Sequence, residues 1–247
     1  MTTISAKTAL VTGGARRVGR AIALELASAG MDVAITYQTS ADEAQQVVQQ
    51  IQQIGRRGAA FKANLEKADA AERVYEQFTQ KFDGLYALVN NASCFAPSAI
   101  DRVTAGIYDH HMAVNARAPL MLIQKFAPML RDHDTPGRIV NFIDIHVMGE
   151  PLPGYVAYNA SKAALMQITM TCAKELAPHI TVNAIAPGVI AWADSYTHEQ
   201  RKQYLTSVPL GRPGTPQDAA TALLFLVRDA DYCTGQIIKL DGGRGLS

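Results

Sequence analysis

The sequence is short of the residues that staple, anchor or chelate. Only three cysteines occur in 247 residues: Cys94, Cys172 and Cys233. Their odd number and wide spacing fit neither a disulfide framework nor a Cys-x-x-Cys metal site, so they read as reduced thiols of a cytoplasmic protein. No run of about 18 apolar residues occurs, so no membrane-spanning helix is expected. The N-terminal stretch has no charged region followed by an apolar one, so no secretory signal is expected either. The six histidines (His110, His111, His133, His146, His179, His198) show no H-x-x-x-H spacing and no nearby carboxylate cluster. No metal site is therefore expected. Charge of one sign is also missing: a net +1 gives no basic excess for nucleic acid. The partners this leaves are small molecules.

What is present is an apolar fraction of 48% against 18% charged residues, ordinary for a globular chain with a substantial core. The length suits one large α/β domain over 1–247. Short apolar runs predict strands over 8–12, 32–37, 59–63, 86–90, 138–143, 181–185 and 236–240. Amphipathic stretches predict helices over 17–29, 41–54, 68–82, 104–115, 118–131, 155–177, 198–205 and 216–227. The strands are continuous apolar runs, as a sheet covered on both faces requires. The fold class is α/β, a Rossmann-type doubly wound parallel sheet of about seven strands with helices on both faces. The segment near 188–210 has no clear strand and reads as a lid over a site.

Strand one runs into Thr12-Gly13-Gly14-Ala15-Arg16-Arg17-Val18-Gly19 and then a helix. A strand-to-helix turn at the carboxyl edge of a sheet points free amides at a phosphate. Gly13, Arg16, Arg17 and Val18 are the candidate contacts. Strand two ends Ile35-Thr36-Tyr37-Gln38-Thr39-Ser40, with no acid until Asp42. An acid there would suit a ribose 2′-hydroxyl and repel a 2′-phosphate, whereas arginine and hydroxyl groups favour the phosphate. Tyr37, Gln38, Thr39 and Ser40, with Arg16 and Arg17, therefore point to NADPH rather than NADH. The competing reading leaves these arginines merely solvated.

Tyr158 and Lys162 form Tyr-x-x-x-Lys on the helix predicted over 155–177, so they share a face. A cation beside a phenol lowers the phenol pKa from about 10, which makes the tyrosine a usable proton donor near neutral pH. In isolation the pair is a common accident. Its value lies in its place after strand five, well downstream of the glycine turn.

Several segments in order carry a family resemblance over nearly the whole chain: the glycine turn, Asn90-Asn91-Ala92-Ser93, Asn115 in Val114-Asn115-Ala116, the Tyr158/Lys162 pair, Asn183-Ala184-Ile185-Ala186-Pro187-Gly188 and Leu240-Asp241-Gly242-Gly243. The chain resembles the short-chain dehydrogenases/reductases. The resemblance implies hydride transfer from a nicotinamide cofactor, with Asn91, Ala92 and Ser93 lining it. Asn64, Leu65 and Ile190 also fall at cofactor-binding positions, and Pro187 and Gly188 would border the nicotinamide. Asn115 would hold a water in a proton relay, and Lys162 would also bind the nicotinamide ribose. Members are commonly tetramers packed through the long catalytic helix and the last strand, so a homotetramer is expected.

Two departures narrow the resemblance. Arg17 stands where the family's turn has its middle glycine. Asp144, in Asn141-Phe142-Ile143-Asp144-Ile145-His146, takes the place of the usual serine. An ionised carboxylate cannot donate to a carbonyl oxygen; it suits a ring that presents N–H groups or needs protonation on nitrogen. Together with Asn-Ala-Ser-x-Phe at Asn91–Phe95, these features resemble the pteridine reductases and dihydromonapterin reductases. There an aromatic residue and the nicotinamide sandwich a pterin. Phe95 matches that aromatic residue, and Arg17 and Ser93 match groups that contact pterin and cofactor phosphates. The candidate substrate residues are Arg17, Ser93, Phe95, Asp144 and Tyr158; the candidate catalytic residues are Asp144, Tyr158, Lys162 and Asn115. The alternatives are a 3-oxoacyl-type carbonyl reductase and a dinucleotide-binding protein without turnover. Phe95 as plain core filler stays open, as does the choice for Trp192 and Tyr196 between lining the pocket and packing the lid. Cys94 reads as a small packing residue.

Overall fold

Apolar side chains alternate between two faces along every central strand, and both faces are covered. In the computed structural model, which describes residues 7–149, 151–192 and 197–246, seven strands form one parallel sheet in the order β3-β2-β1-β4-β5-β6-β7. They are β1 Thr8–Val11, β2 Asp32–Tyr37, β3 Gly58–Lys62, β4 Ala87–Asn90, β5 Gly137–Phe142, β6 Ile180–Pro187 and β7 Ile237–Leu240. The helices are α1 Arg17–Ser28, α2 Ala41–Gln53, α3 Ala70–Thr79, α4 Ala105–Met112, α5 Ala118–Arg131, α6 Val156–Leu176, α7 His198–Thr206 and α8 Pro216–Arg228.

Ala9, Val11, Val33, Ile35, Val89 and Phe142 face one layer, where α1, α2 and α8 supply Ile22, Leu26, Val47, Ile51 and Leu223. Leu10, Ala34, Leu88, Ile139 and Val182 face the other, against Val74, Phe78, Leu122, Phe126 and Cys172 of α3, α5 and α6. This two-sided burial is the reason the strands read as continuous apolar runs.

The chain leaves β1 for β2 and β3 on one side, then crosses to β4 on the other. The loops leaving the carboxyl ends of β1 and β4 therefore diverge and open a crevice between them. Element limits shift from the sequence expectation by a residue or two, except that α3 and α4 each end three residues early. The helix expected over 104–115 stops at Met112, and a wider π turn over Ala113–Arg117 joins it to α5. Strand β6 runs to Pro187 and starts at Ile180. The polar Asn183 inside it is satisfied by donating to the Cys233 carbonyl and accepting from the Gln236 amide. No described helix is long and apolar enough to cross a membrane.

Candidate active site

The turn after β1 is built by backbone constraint. Gly13 has φ of 65°, a conformation that glycine adopts without steric cost. A Cβ on Gly19 would stand 2.2 Å from the Gly13 carbonyl oxygen, so the first turn of α1 can pack here only with glycine. The Gly13 amide donates to Thr36 Oγ1 at 3.2 Å. Asn91 Nδ2 donates to the Thr12 carbonyl at 2.9 Å, so its side chain fastens the turn to the loop after β4. Arg17 has φ of 51°, the only positive φ at a described non-glycine residue. This accounts for the sequence departure: the position needs a left-handed backbone, which the family meets with glycine and this chain meets with arginine at a cost of roughly 1–2 kcal/mol. In return the guanidinium is held over the cleft, where Nη2 donates to the Trp192 carbonyl.

The N-terminus of α1 faces the same crevice with no side-chain cap and no acid in its first turn. Its unpartnered amides and positive dipole end suit an anion. Arg16 is 63% exposed and reaches Glu43 only at 3.9 Å, a contact of little energetic weight. The two acids nearest to the end of β2, Asp42 and Glu43, lie in the first turn of α2.

A cavity of about 670 Å³ extends from this turn across the carboxyl ends of β1, β4, β5 and β6. Every position named above as a cofactor or substrate contact lines it; Asn115 does not. Tyr37 to Ser40 edge one end with Asn64 and Leu65; Phe95, Asp144 and Tyr158 edge the other, and Pro187, Gly188 and Ile190 form the far rim.

Tyr158 and Lys162 lie one turn apart on α6, both buried. Tyr158 Oη donates to Asp144 Oδ2 at 2.7 Å, and Asp144 Oδ1 accepts from the His146 amide at 2.9 Å. Lys162 Nζ donates to the Phe142 carbonyl at 2.7 Å and lies 5.9 Å from the centre of the Tyr158 ring. Burial, then the Asp144 carboxylate, holds the Tyr158 phenol well above its ordinary range. The expectation of a lowered phenol pKa is thus corrected. The sequence placed a cation beside the phenol, but burial and a hydrogen-bonded carboxylate both disfavour phenolate. Burial also pushes Lys162 down to about 8, with Asp144 opposing.

Asn115 sits in the π turn, a feature often found at functional sites. Its Oδ1 accepts from the Cys94 amide at 2.8 Å and from Ser93 Oγ at 3.2 Å. Its Nδ2 donates to the Cys94 carbonyl and to Ser161 Oγ, both at 2.9 Å. The side-chain amide is thus committed to the loop after β4 and to α6. Cys94 is held by the same bonds, and burial raises its thiol pKa, as suits a packing residue.

Of the other lining residues, His110 was not anticipated, and Trp192 was left open between lining the pocket and packing the lid. His110, on α4, borders the cavity and pairs with Glu66 at 3.3 Å; its spacing carried no motif. Trp192 lines the cavity through the segment after β6 and meets Tyr204 of α7 edge to face at 5.4 Å. Tyr196 lies outside the described residues. His146 does not line the cavity; its ring lies 3.5 Å from Arg244 Nη1.

Comparison with known proteins places this geometry. A family profile described as enoyl-(acyl carrier protein) reductase matches residues 13–244. The 3-oxoacyl-[acyl-carrier-protein] reductase FabG of Staphylococcus aureus is 38% identical over 242 residues, covering 96% of this chain and 97% of that protein. The Brucella canis structure described as FolM alternative dihydrofolate reductase 1 complexed with NADP superposes with a TM-score of 0.92 at 33% identity, over 99% of this chain and 96% of that one. A short chain dehydrogenase from Burkholderia cenocepacia in complex with NADP gives 0.90 at 34% identity, over 98% and 99%. With the glycine turn, the seven-stranded sheet and the Tyr158/Lys162 pair in place, the chain belongs to the short-chain dehydrogenase/reductase family of NAD(P)-dependent oxidoreductases.

Proposed function

We propose that the chain is an NADPH-dependent reductase of flat nitrogen heterocycles of the pterin type, dihydropterins first and dihydrofolate in the same class. The observation that carries this reading is the hydrogen bond from Tyr158 to Asp144. A ketone substrate needs donors aimed at one oxygen, and a carboxylate at this position accepts instead. A pterin offers ring N–H and amino groups that a carboxylate can accept from, and a reducible C=N bond whose nitrogen must gain a proton.

The crevice fits the cofactor: the uncapped amides at α1 would hold its phosphates, and Arg16, Arg17 and Ser40, which line the cavity, would hold a 2′-phosphate. NADPH is the cofactor, and when bound it supplies a hydride from its nicotinamide. The chain's own residues do the rest. Asn91 and Thr36 hold the turn in shape. Ser93 and Arg17 line the same cavity as Phe95 and Asp144 and are the further candidate substrate contacts. Phe95 gives a flat apolar face to the substrate ring. Tyr158 gives its Oη proton to the ring nitrogen, Asp144 orients the phenol, and the Lys162 ammonium offsets the charge left on it. The segment after Gly188, with Trp192 and α7, acts as the lid. The assembly is a tetramer: β7 ends the sheet as an edge strand, and Val156 and Met170 of α6 are 42% and 37% exposed.

A second reading, reduction of a 3-oxoacyl thioester or a similar carbonyl, is favoured by a different observation. The 38% identical Staphylococcus aureus relative bears that name, and by the names of sequence relatives this reading is the stronger. The neighbour named as an alternative dihydrofolate reductase supports the first. One experiment decides: NADPH oxidation is followed with dihydrobiopterin, dihydrofolate and acetoacetyl thioester, in the natural protein and in Asp144→Ser. Pterin turnover should fall about 100-fold in the variant, with thioester turnover unchanged or improved. Thioester turnover without pterin turnover in the natural protein would establish the second reading.

A further inference from the structure

Phe95 sits in the loop after β4 and is 43% exposed, so its own burial does not fix the plane of its ring. Two other rings do. Tyr155, the residue before α6, lies parallel to it, with centroids 4.6 Å apart and planes inclined by 10°. Tyr158 meets it at 85°, with centroids 4.8 Å apart. Phe95 and Tyr158 line the cavity and Tyr155 does not, so Tyr155 backs the Phe95 ring from outside.

The backbone beneath this stack is tied by one buried residue. The Ser98 amide donates to the Gly154 carbonyl at 2.7 Å, and the Ser98 carbonyl accepts from the Val156 amide at 3.3 Å. Ser98 Oγ accepts from the Ala157 amide at 3.0 Å. These bonds join the loop that carries Phe95 to the first turn of the helix that carries Tyr158. An offset or parallel ring pair resists tilting of either member. Together they turn an exposed side chain into a wall of fixed orientation.

We infer that Tyr155 is a positioning residue for the substrate: it holds the Phe95 ring in the plane against which a flat heterocycle lies. The inference rests on the proposed function, in which Phe95 is the stacking face. An extended acyl chain does not need that plane, and the glycine turn lies on the opposite wall. Tyr155 therefore acts on recognition of flat substrates, and neither on cofactor binding nor on the proton-transfer groups.

The test compares Tyr155→Leu, Tyr155→Phe and Phe95→Leu in steady-state kinetics with dihydrobiopterin, and in binding of oxidised biopterin to the NADP⁺-loaded protein, read by pterin fluorescence. Tyr155→Leu should raise KM for dihydrobiopterin and weaken biopterin binding by about three- to tenfold, with a smaller change in kcat and an unchanged KM for NADPH. Tyr155→Phe, which keeps the ring, should restore most of the loss. Natural behaviour of Tyr155→Leu beside an impaired Phe95→Leu overturns the inference alone, as does an equal defect in Tyr155→Leu and Tyr155→Phe. If Phe95→Leu is also without effect, the reading of Phe95 as the stacking face is what has failed, and the role of Tyr155 falls with it.

Discussion

On the β1–β3 side of the cleft, the groups that face the cavity are held by main chain: a left-handed Gly13, a Gly19 with no room for a Cβ, and amides at the start of α1. On the β4–β6 side they are held by side chains gripping one another: Tyr158 on Asp144, and Phe95 against Tyr155 and Tyr158. A dinucleotide is bound through its phosphates by repeating backbone features, and one solution serves many proteins. A substrate is chosen by a few side chains, so a single exchange such as serine for Asp144 changes the chemistry offered while the fold stays the same.

The contrast can be tested by attacking each wall in turn. The largest effect is expected on the side-chain wall. Tyr158→Phe removes the proton donor without changing the ring that packs against Phe95, so kcat should fall by about 10³-fold with the KM for NADPH little changed. Comparable loss of cofactor affinity in a titration would show that the two walls are not separable. On the backbone wall, Arg17→Ala should cut the preference for NADPH over NADH by about tenfold, since one charge-assisted phosphate contact is lost. Arg17→Gly should lose the same preference while relieving the left-handed strain, so its melting temperature should not fall. The smallest effect is on pH. Lys162 loses its charge near pH 8, where an ordinary lysine keeps it. The ammonium is present below that pH and absent above it, so kcat/KM should decline as pH rises through about 8. A profile flat to pH 10 would remove Lys162 from the proton-transfer half of the site.

The same division explains what was legible in the sequence. The sheet, the glycine turn and the Tyr158/Lys162 pair follow from local patterns: apolar runs, glycines between a strand and a helix, and a four-residue spacing. The left-handed backbone at Arg17 was signalled by its standing in for a glycine. The rest depends on contacts between residues far apart in the chain. Nothing local to Phe95 announces Tyr155, 60 positions on. Nothing near Arg17 announces the Trp192 carbonyl. The sign of the Tyr158 shift was missed for the same reason, because burial and the Asp144 contact outweigh the neighbouring cation, and neither is visible in a four-residue spacing.

Asn115 has one more consequence. Its amide joins Cys94, Ser93 and Ser161, and Ser161 Oγ in turn donates to the Tyr158 carbonyl at 2.7 Å. Asn115 thus clasps the loop after β4 through three bonds and the catalytic helix through one, a second tie beside the one Ser98 makes. Across the cavity, Trp192 is held from two directions, by the Arg17 guanidinium on its carbonyl and by the Tyr204 ring of α7.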